Sequence, residues 1–389
     1  MALTTRTEGR RLPPEIFDLP VEKMREGYYT DAYFNHTRSA LLADERHPRV
    51  VMQVFQKRNA VLGGMDEAIA ILKLCSDDWD ALTVHALFDG DRIEPWETVM
   101  TIEGDYTLFA HLETVYLGVL ARRTLISTNV TRVLEAANGK PVIFMAARHD
   151  HHRVQTGDGY AAHVAGALVG SEIGVTTDAQ SSWWGGRGIG TVPHALIAAY
   201  GGNTVLAATK FAEWAPPDFN IVVLVDFEDD SERTPLEVAR ALGPRLWGVR
   251  LDTSGQLVDR ALWNELGDFE PRGVNERLVR KVRDALDQDG FERVKIVASG
   301  GFTVERIQAF EQVGVPVDAY GVGSSLIRGS NDFTGDIVLT DGRESAKVGR
   351  RYRVNPRLEL VDEDDRGRVL ARLGEELANP RGAETREHL

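Results

Sequence analysis

Cysteine is almost missing from this chain. Cys75 is the only one in 389 residues, which excludes an intrachain disulfide and any thiolate cluster around zinc. It ends the apolar run Ala70-Ile71-Leu72-Lys73-Leu74-Cys75 and reads as a small buried hydrophobe. Long apolar runs are missing too. No stretch reaches the roughly 18 residues that mark a membrane-spanning helix. The first residues are charged and polar, with no apolar signal core, so the expectation is a cytoplasmic protein without a membrane partner. Nucleotide fingerprints are incomplete. GxxxxGKS and GxxxxGKT do not occur, and Gly321-x-Gly323 is a fragment of GxGxxG placed late in the chain. Positive charge is not in excess either. The formal net charge is −14, a mean field that repels phosphate and argues against nucleic-acid partners. A phosphorylated ligand would therefore need a local positive pocket.

What is present is the pattern of an α/β protein. Residues 1–20 hold Pro13, Pro14 and Pro20 and read as an extended arm. Up to about residue 120, strand patterns such as Val50–Phe55 and Thr98–Gly104, the latter entering a turn at Gly104-Asp105, mix with an amphipathic helix over Met65–Leu74, as in an α+β domain. From there compact apolar strands alternate with helices, the rhythm of βα units and a parallel sheet. The strands are Pro141–Ala147, Ile221–Asp226, Leu246–Asp252, Arg293–Ser299 and Val317–Val322, with further ones near Val164–Gly174 and before Gly190. Helices fit Pro235–Leu242, Glu276–Asp289 and Thr303–Val313. About seven strands favour an irregular α/β barrel over an open sheet. The expected division is an N-terminal α+β domain over 1–120, a barrel over 121–335, and a small C-terminal segment over 336–389 packing on it. In that last segment Ile337–Leu339, a turn at Asp341-Gly342 and Ala346–Val354 suggest β elements, and the final ~20 residues a charged helix and frayed tail.

Parallel α/β folds bind ligands at the carboxyl ends of their strands. Here those ends deliver Arg148-His149-Asp150-His151-His152, then Asp226 with Glu228, Asp229 and Asp230, then Arg250 and Asp252, then Ser299-Gly300-Gly301, and last Gly321-Val322-Gly323-Ser324-Ser325. The two small-residue turns suit a phosphate, whose oxygens backbone amides can reach, although Gly321-x-Gly323 also fits an ordinary strand-to-helix turn. The Arg148–His152 cluster invites a metal, but neighbouring residues on a strand point to opposite sides and two histidines four apart on one helix face are absent. His194, in Gly190-Thr191-Val192-Pro193-His194 before the helical run Ala195–Tyr200, fits a nucleophile or proton shuttle. It also fits a capped, solvent-facing histidine.

Several of these motifs converge on one family. The chain resembles the nicotinate phosphoribosyltransferases, which share the type II phosphoribosyltransferase barrel with the quinolinate and nicotinamide enzymes. The matching pieces, in the family's order, are Thr30-Asp31-Ala32-Tyr33, Ile102-Glu103-Gly104-Asp105-Tyr106, Leu112-Glu113-Thr114, Ala147-Arg148, Gly190-Thr191-Val192-Pro193-His194-Ala195, Gly248-Val249-Arg250-Leu251-Asp252, Val297-Ala298-Ser299-Gly300-Gly301 and Gly321-Val322-Gly323. The resemblance implies transfer of ribose 5-phosphate from phosphoribosyl pyrophosphate (PRPP) to the ring nitrogen of nicotinate, with pyrophosphate released. It implies Mg²⁺ with the phosphorylated substrates and ATP as co-substrate. His194 would be the histidine that ATP phosphorylates. Arg250 would contact the base, Asp252 the ribose hydroxyls, and Arg148 the pyridine and phosphoribosyl pocket. Ser299, Gly300, Gly301, Gly321, Gly323 and Ser324 would hold the 5-phosphate. Tyr33 would stack on the pyridine of the other subunit in a head-to-tail homodimer.

The sequence departs from that pattern at three places. Met145-Ala146 replaces an aromatic-glycine pair, and His149 stands where a second arginine is common. Ile173, with Glu172 beside it, takes the place of an acid. One cysteine cannot supply the C-terminal metal knuckle of some relatives. Nicotinamide or quinolinate as the base, or a non-catalytic paralogue that only binds a phosphorylated ligand, are the alternatives at this level. The motif around His194 argues against the quinolinate type, which has no phosphorylated histidine.

Overall fold

The computed structural model describes residues 11–361, apart from 266 and 268. They form two compact units. The first takes its described residues from the chain up to 128, from 160–168 and from 329 on, and the second holds 129–159 and 169–328. The change of rhythm near residue 120 and the division after residue 128 both fall inside the helix Glu113–Ala136.

The first unit is built on α1 (Ala32–Ala43), β1 (Arg49–Phe55), α2 (Met65–Cys75), β2 (Thr83–Ala86), β3 (Thr98–Asp105) and the start of α3 (Glu113–Ala136). Its six-stranded sheet runs Arg343–Glu344, Thr334–Thr340, β1, β3, β2, Glu359–Leu360, and β1 is antiparallel to both of its neighbours. The strand Thr334–Thr340 thus belongs to this sheet rather than to a barrel ending at 335 or a separate C-terminal segment. Asp341-Gly342 makes the expected turn. Ala346–Val354 forms no strand. The buried Gln53 side chain replaces a ladder there, donating to the Arg351 carbonyl at 2.9 Å and accepting from the Arg353 amide at 3.0 Å. The expected terminal helix and tail lie outside the described residues.

Helix α2 is buried rather than amphipathic, with nine of its eleven residues out of water. Its acids are tolerated because each meets a cation. Arg11 donates to Asp66 at 3.1 Å and Arg123 to Glu67 at 2.9 Å. Of the N-terminal arm, Arg11 and Phe17 are buried, and Pro14–Phe17 form a 3-10 turn instead of extended chain. Cys75 is buried, its Sγ lies 3.8 Å from Met24 Sδ, and burial pushes its thiol up to about 11.

The second unit continues with β4 (Val142–Phe144), the two ends of α4 (Gln155–Val169, whose residues 160–168 belong to the first unit), β5 (Ile173–Val175), α5 (His194–Ala199), α6 (Thr204–Trp214), β6 (Ile221–Leu224), α7 (Arg233–Leu242), β7 (Leu246–Leu251), α8 (Glu276–Gln288), β8 (Lys295–Ala298), α9 (Val304–Gln312) and β9 (Ala319–Val322). The sheet is parallel, in the order β5-β4-β9-β8-β7-β6. Its two edges are bridged by one extended segment. The Ile189 amide donates to the Val175 carbonyl at 2.8 Å, and the Val192 amide to the Val222 carbonyl at 2.8 Å. Six strands and this short link replace the seven expected strands. The stretch Val164–Gly174 is mostly the end of α4, and the strand there starts only at Ile173. Inside the sheet sit Val222, Val297 and Ala319 with Ile143 and Trp247. Outside, α7, α8 and α9 bury Val238, Leu242, Leu278, Val282, Ile307 and Phe310, each contributing roughly 1.5–3 kcal/mol of apolar burial. This packing fixes the strand ends on which the polar residues stand.

No helix among the described residues is long and apolar enough to cross a membrane.

Candidate active site

β7 and β8 run parallel in the register Val297↔Arg250 and Ala298↔Leu251. Side chains at paired positions share a face, so Arg250 meets the residue just past the end of β8, which is Ser299. Arg250 Nε donates to Ser299 Oγ at 2.8 Å, and Ser299 Oγ lies 2.7 Å from Asp252 Oδ1 and 2.9 Å from the Leu251 carbonyl. Its single proton serves one of those acceptors at a time. Arg250 Nη2 pairs with Asp252 Oδ2 at 3.2 Å, and Nη1 reaches Thr191 Oγ1 at 3.4 Å. Ser299 is buried, while the Arg250 and Asp252 side chains keep 15% and 21% of their surface open. The result is a fixed guanidinium–hydroxyl–carboxylate cluster with one open side.

His194 is placed by the bridging segment. Val192 is tied to β6, Pro193 has extended backbone, and His194 is the first residue of the six-residue α5. Its Nε2 lies 3.0 Å from Oδ1 of Asp226, which is buried two residues past the end of β6. The hydrogen bond to Asp226 raises the imidazole pKa above its usual value. Burial works against the rise, the charges of Asp226 and Asp252 add to it, and Arg250 opposes it. Nδ1 has no protein partner among the described residues. Next to this pair, Asp229 sits in left-handed backbone, and burial with the charges of Asp259 and Asp226 raises its carboxyl.

The two small-residue turns differ. Gly300 and Gly301 have φ of 91° and 77°, a region L side chains rarely adopt. They lead to the Thr303 cap of the nine-residue α9, and Arg306 holds the turn by donating to the Gly300 carbonyl at 2.7 Å. Gly321 and Gly323 instead lead only into the 3-10 turn Ser324–Ile327, so the second expected helix is absent. Both glycines are required by close approach. A Cβ on Gly321 would lie 2.8 Å from Met145 Sδ, and one on Gly323 would lie 2.9 Å from His149 Cε1. Arg148 follows β4 in a 3-10 turn, is exposed, and has no hydrogen-bond or ion-pair partner among the described residues. No group of three His, Cys, Asp or Glu among the described residues is arranged to hold a metal ion, the Arg148–His152 cluster included.

Known proteins match this chain over most of its length. The family model for the quinolinate phosphoribosyl transferase N-terminal domain matches residues 31–124. Nicotinate phosphoribosyltransferase pncB1 of Mycobacterium tuberculosis is 32% identical over 305 residues, covering 76% of this chain and 61% of the relative. The chain therefore spans about three fifths of the length of that relative. The crystal structure of nicotinate-nucleotide pyrophosphorylase from Pyrococcus furiosus is 31% identical, covers 89% of this chain and 85% of its own, and superposes with a TM-score of 0.73. The chain belongs to the type II phosphoribosyltransferase family. Human nicotinic acid phosphoribosyltransferase, 17% identical with a TM-score of 0.57 over 81% of this chain and 75% of its own, shares the fold.

As a member of that family the chain carries three of the matched motifs in its first unit, and the first and third of them meet there. Asp31 Oδ2 accepts from Thr114 Oγ1 at 2.9 Å, and the Asp31 amide donates to the same oxygen at 3.0 Å. Thr30 Oγ1 donates to the His111 carbonyl. Tyr33 stands on α1, 61% exposed, against Phe34. No residue of α1 is buried. Sequence reasoning missed Thr191 as a partner of Arg250 and Asp226 as the partner of His194. Asp226 was visible as a strand end, but its pairing depends on the Val192–Val223 bridge, which no local pattern announces.

Proposed function

We propose that this protein is a nicotinate phosphoribosyltransferase that makes nicotinate mononucleotide from nicotinate and PRPP, a step of NAD biosynthesis. The observation that carries the reading is the His194–Asp226 pair set beside the Arg250–Ser299–Asp252 cluster. In the reaction the pyridine nitrogen attacks the anomeric carbon, the new C–N bond forms, and the bond to pyrophosphate breaks. Arg250, oriented by Ser299 and Thr191, presents guanidinium edges to the nicotinate carboxylate. Asp252 holds the ribose hydroxyls and favours the cationic anomeric carbon. Arg148 faces the phosphoribosyl substrate, and Gly300, Gly301, Gly321, Gly323 and Ser324 receive its 5-phosphate. Ser299 joins that set mainly by fixing Arg250, since its hydroxyl is already engaged. Mg²⁺ fits here as part of the phosphorylated substrate, because such an ion binds through one or two carboxylates plus phosphate oxygens. Asp226 and Asp252 are the residues that would face it.

ATP coupling is part of the proposal. Asp226 holds Nε2 of His194, which leaves Nδ1 as the nitrogen that can take a phosphoryl group. A phosphorylated His194 adds negative charge beside bound pyrophosphate and shifts its affinity. The exposed ring of Tyr33 fits a head-to-tail homodimer in which it stacks on the partner's pyridine. A reaction that draws on ATP and PRPP suits the cytoplasm.

Nicotinate is favoured over quinolinate by the supply of free cations. Arg250 is already paired with Asp252 and Arg148 serves the phosphoribosyl substrate, which leaves little positive charge for a second carboxylate. The test is a product assay with PRPP, Mg²⁺ and each of nicotinate, nicotinamide and quinolinate, with and without ATP. Nicotinate mononucleotide is expected, with ATP raising its yield. No mononucleotide from any base would refute the enzyme reading, and a non-catalytic binder would take its place.

A further inference from the structure

Two of the residues that depart from the family pattern, Met145 and His149, lie against the glycine turn after β9. Met145 follows β4, and its amide donates to the Val322 carbonyl at 2.7 Å. Its Sδ and Cε fill the space where Gly321 has no Cβ, and that same Cβ would lie 3.0 Å from the Cβ of Ser299. Four residues on, His149 is fixed through its amide, 2.9 Å from the Ala146 carbonyl, and its ring lies over Gly323. A Cβ at Gly323 would meet His149 Cε1 at 2.9 Å and Nδ1 at 3.4 Å. The ring is exposed, and neither nitrogen has a hydrogen-bond partner among the described residues. Its own loop adds Arg148, Asp150, His151, His152 and Arg153, while the facing turn Gly321–Ser325 carries no charge. An imidazole with free nitrogens, laid on an uncharged small-residue turn with Arg148 next to it, is arranged to donate to an anion seated on that turn.

We propose that His149 is a direct ligand of the substrate's 5-phosphate, acting with Ser324 on the Gly321–Gly323 turn. The inference rests on the phosphoribosyl-transfer reading and names a contact that reading does not contain. Met145 then has a separate part: its thioether fills the turn beneath Gly321 and keeps His149 on the phosphate side.

Titration calorimetry with ribose 5-phosphate tests this without requiring turnover, and nicotinate binding in the presence of ribose 5-phosphate serves as the control. His149→Ala should weaken ribose 5-phosphate binding about tenfold, in keeping with the loss of one charge-assisted hydrogen bond. The conservative His149→Arg should restore it, and nicotinate affinity should hold in both. Wild-type affinity in His149→Ala would overturn the proposal. So would an equal loss for nicotinate, or failure of His149→Arg to rescue, since either marks a structural role. If the wild-type protein makes mononucleotide while His149→Ala binds normally, only the His149 contact fails. If the wild-type protein binds no ribose 5-phosphate and makes no mononucleotide, the phosphoribosyl reading itself falls.

Discussion

In the first unit, Asp89 lies out of water and accepts the amides of Met65 and Asp66 at the start of α2, at 2.7 and 3.4 Å. Burial pushes its carboxyl up to about 8, and Asp66 adds to the rise. Glu113 opens α3 in the same unit, and burial with the charge of Asp336 pushes it up to about 8 as well. In the second unit, Asp226 and Asp252 stand at strand ends, one against an imidazole and the other against a guanidinium. The residue type is the same and the work differs. Carboxylates enclosed by the fold drift toward their neutral form and serve as caps and acceptors. Carboxylates at strand ends are held by an imidazole or a guanidinium, Asp226 buried against His194 and Asp252 with one side open beside Arg250, which keeps polar pairs ready for a ligand.

The comparison is broken most directly at Asp252. If its work is chemistry, Asp252→Ala should lower kcat/KM by about 10²–10³ while the melting temperature changes little. A loss of stability matching the loss of activity would make it a structural acid like Asp89. The same variant tests whether sites are shared. Mixing Asp252→Ala with Tyr33→Ala protein should restore up to about a quarter of wild-type activity if Tyr33 serves the partner's site in a dimer. Subunit exchange without any recovery would show each site to be self-contained.

A smaller effect is expected at His194–Asp226. Nδ1 can attack ATP only as a neutral imidazole, and the hydrogen bond to Asp226 raises the pKa. Phosphoenzyme formation should therefore fall as pH drops through that raised value. Asp226→Asn removes the charge, so the fall should move to lower pH, and the yield above it should drop about 10²-fold as the ring loses its orientation. His194→Ala should abolish the phosphoenzyme and leave ATP-independent transfer. Labelled ATP followed by alkaline denaturation reads both. A pH profile unchanged in Asp226→Asn would separate Asp226 from the histidine.

Much of this site was legible before folding because polar residues ending apolar runs mark strand ends. Arg250, Asp252, Ser299 and the glycine turns are all of that kind. What was not legible depends on register. Ser299 touches Arg250 only because Val297 pairs with Arg250. Two fold expectations failed because side chains did the work of backbone or solvent. The amphipathic pattern over Met65–Leu74 implied an exposed face, yet the acids there, Asp66 and Glu67, meet Arg11 and Arg123, 55 and 56 residues away in the chain. Ala346–Val354 suggested a strand, yet its bonds go to the side chain of Gln53.

The mildest test returns to the enclosed acids, at Glu113. Its pKa rises on folding from the usual 4.5 to about 8. A group raised in this way favours the folded state fully below its unfolded value, and that contribution is lost as pH climbs through the folded value. The first unit should therefore lose stability from this group between about pH 4.5 and pH 8. Glu113→Gln keeps the shape and an acceptor for Tyr106 while removing the proton. Its melting temperature should fall less than the wild type's across that window, so that at pH 8 the variant gains ~2–4 °C relative to wild type, the equivalent of roughly 1 kcal/mol. Parallel wild-type and variant curves would show that the carboxyl keeps its charge, and the contrast between enclosed and strand-end acids would then rest on Asp89 alone.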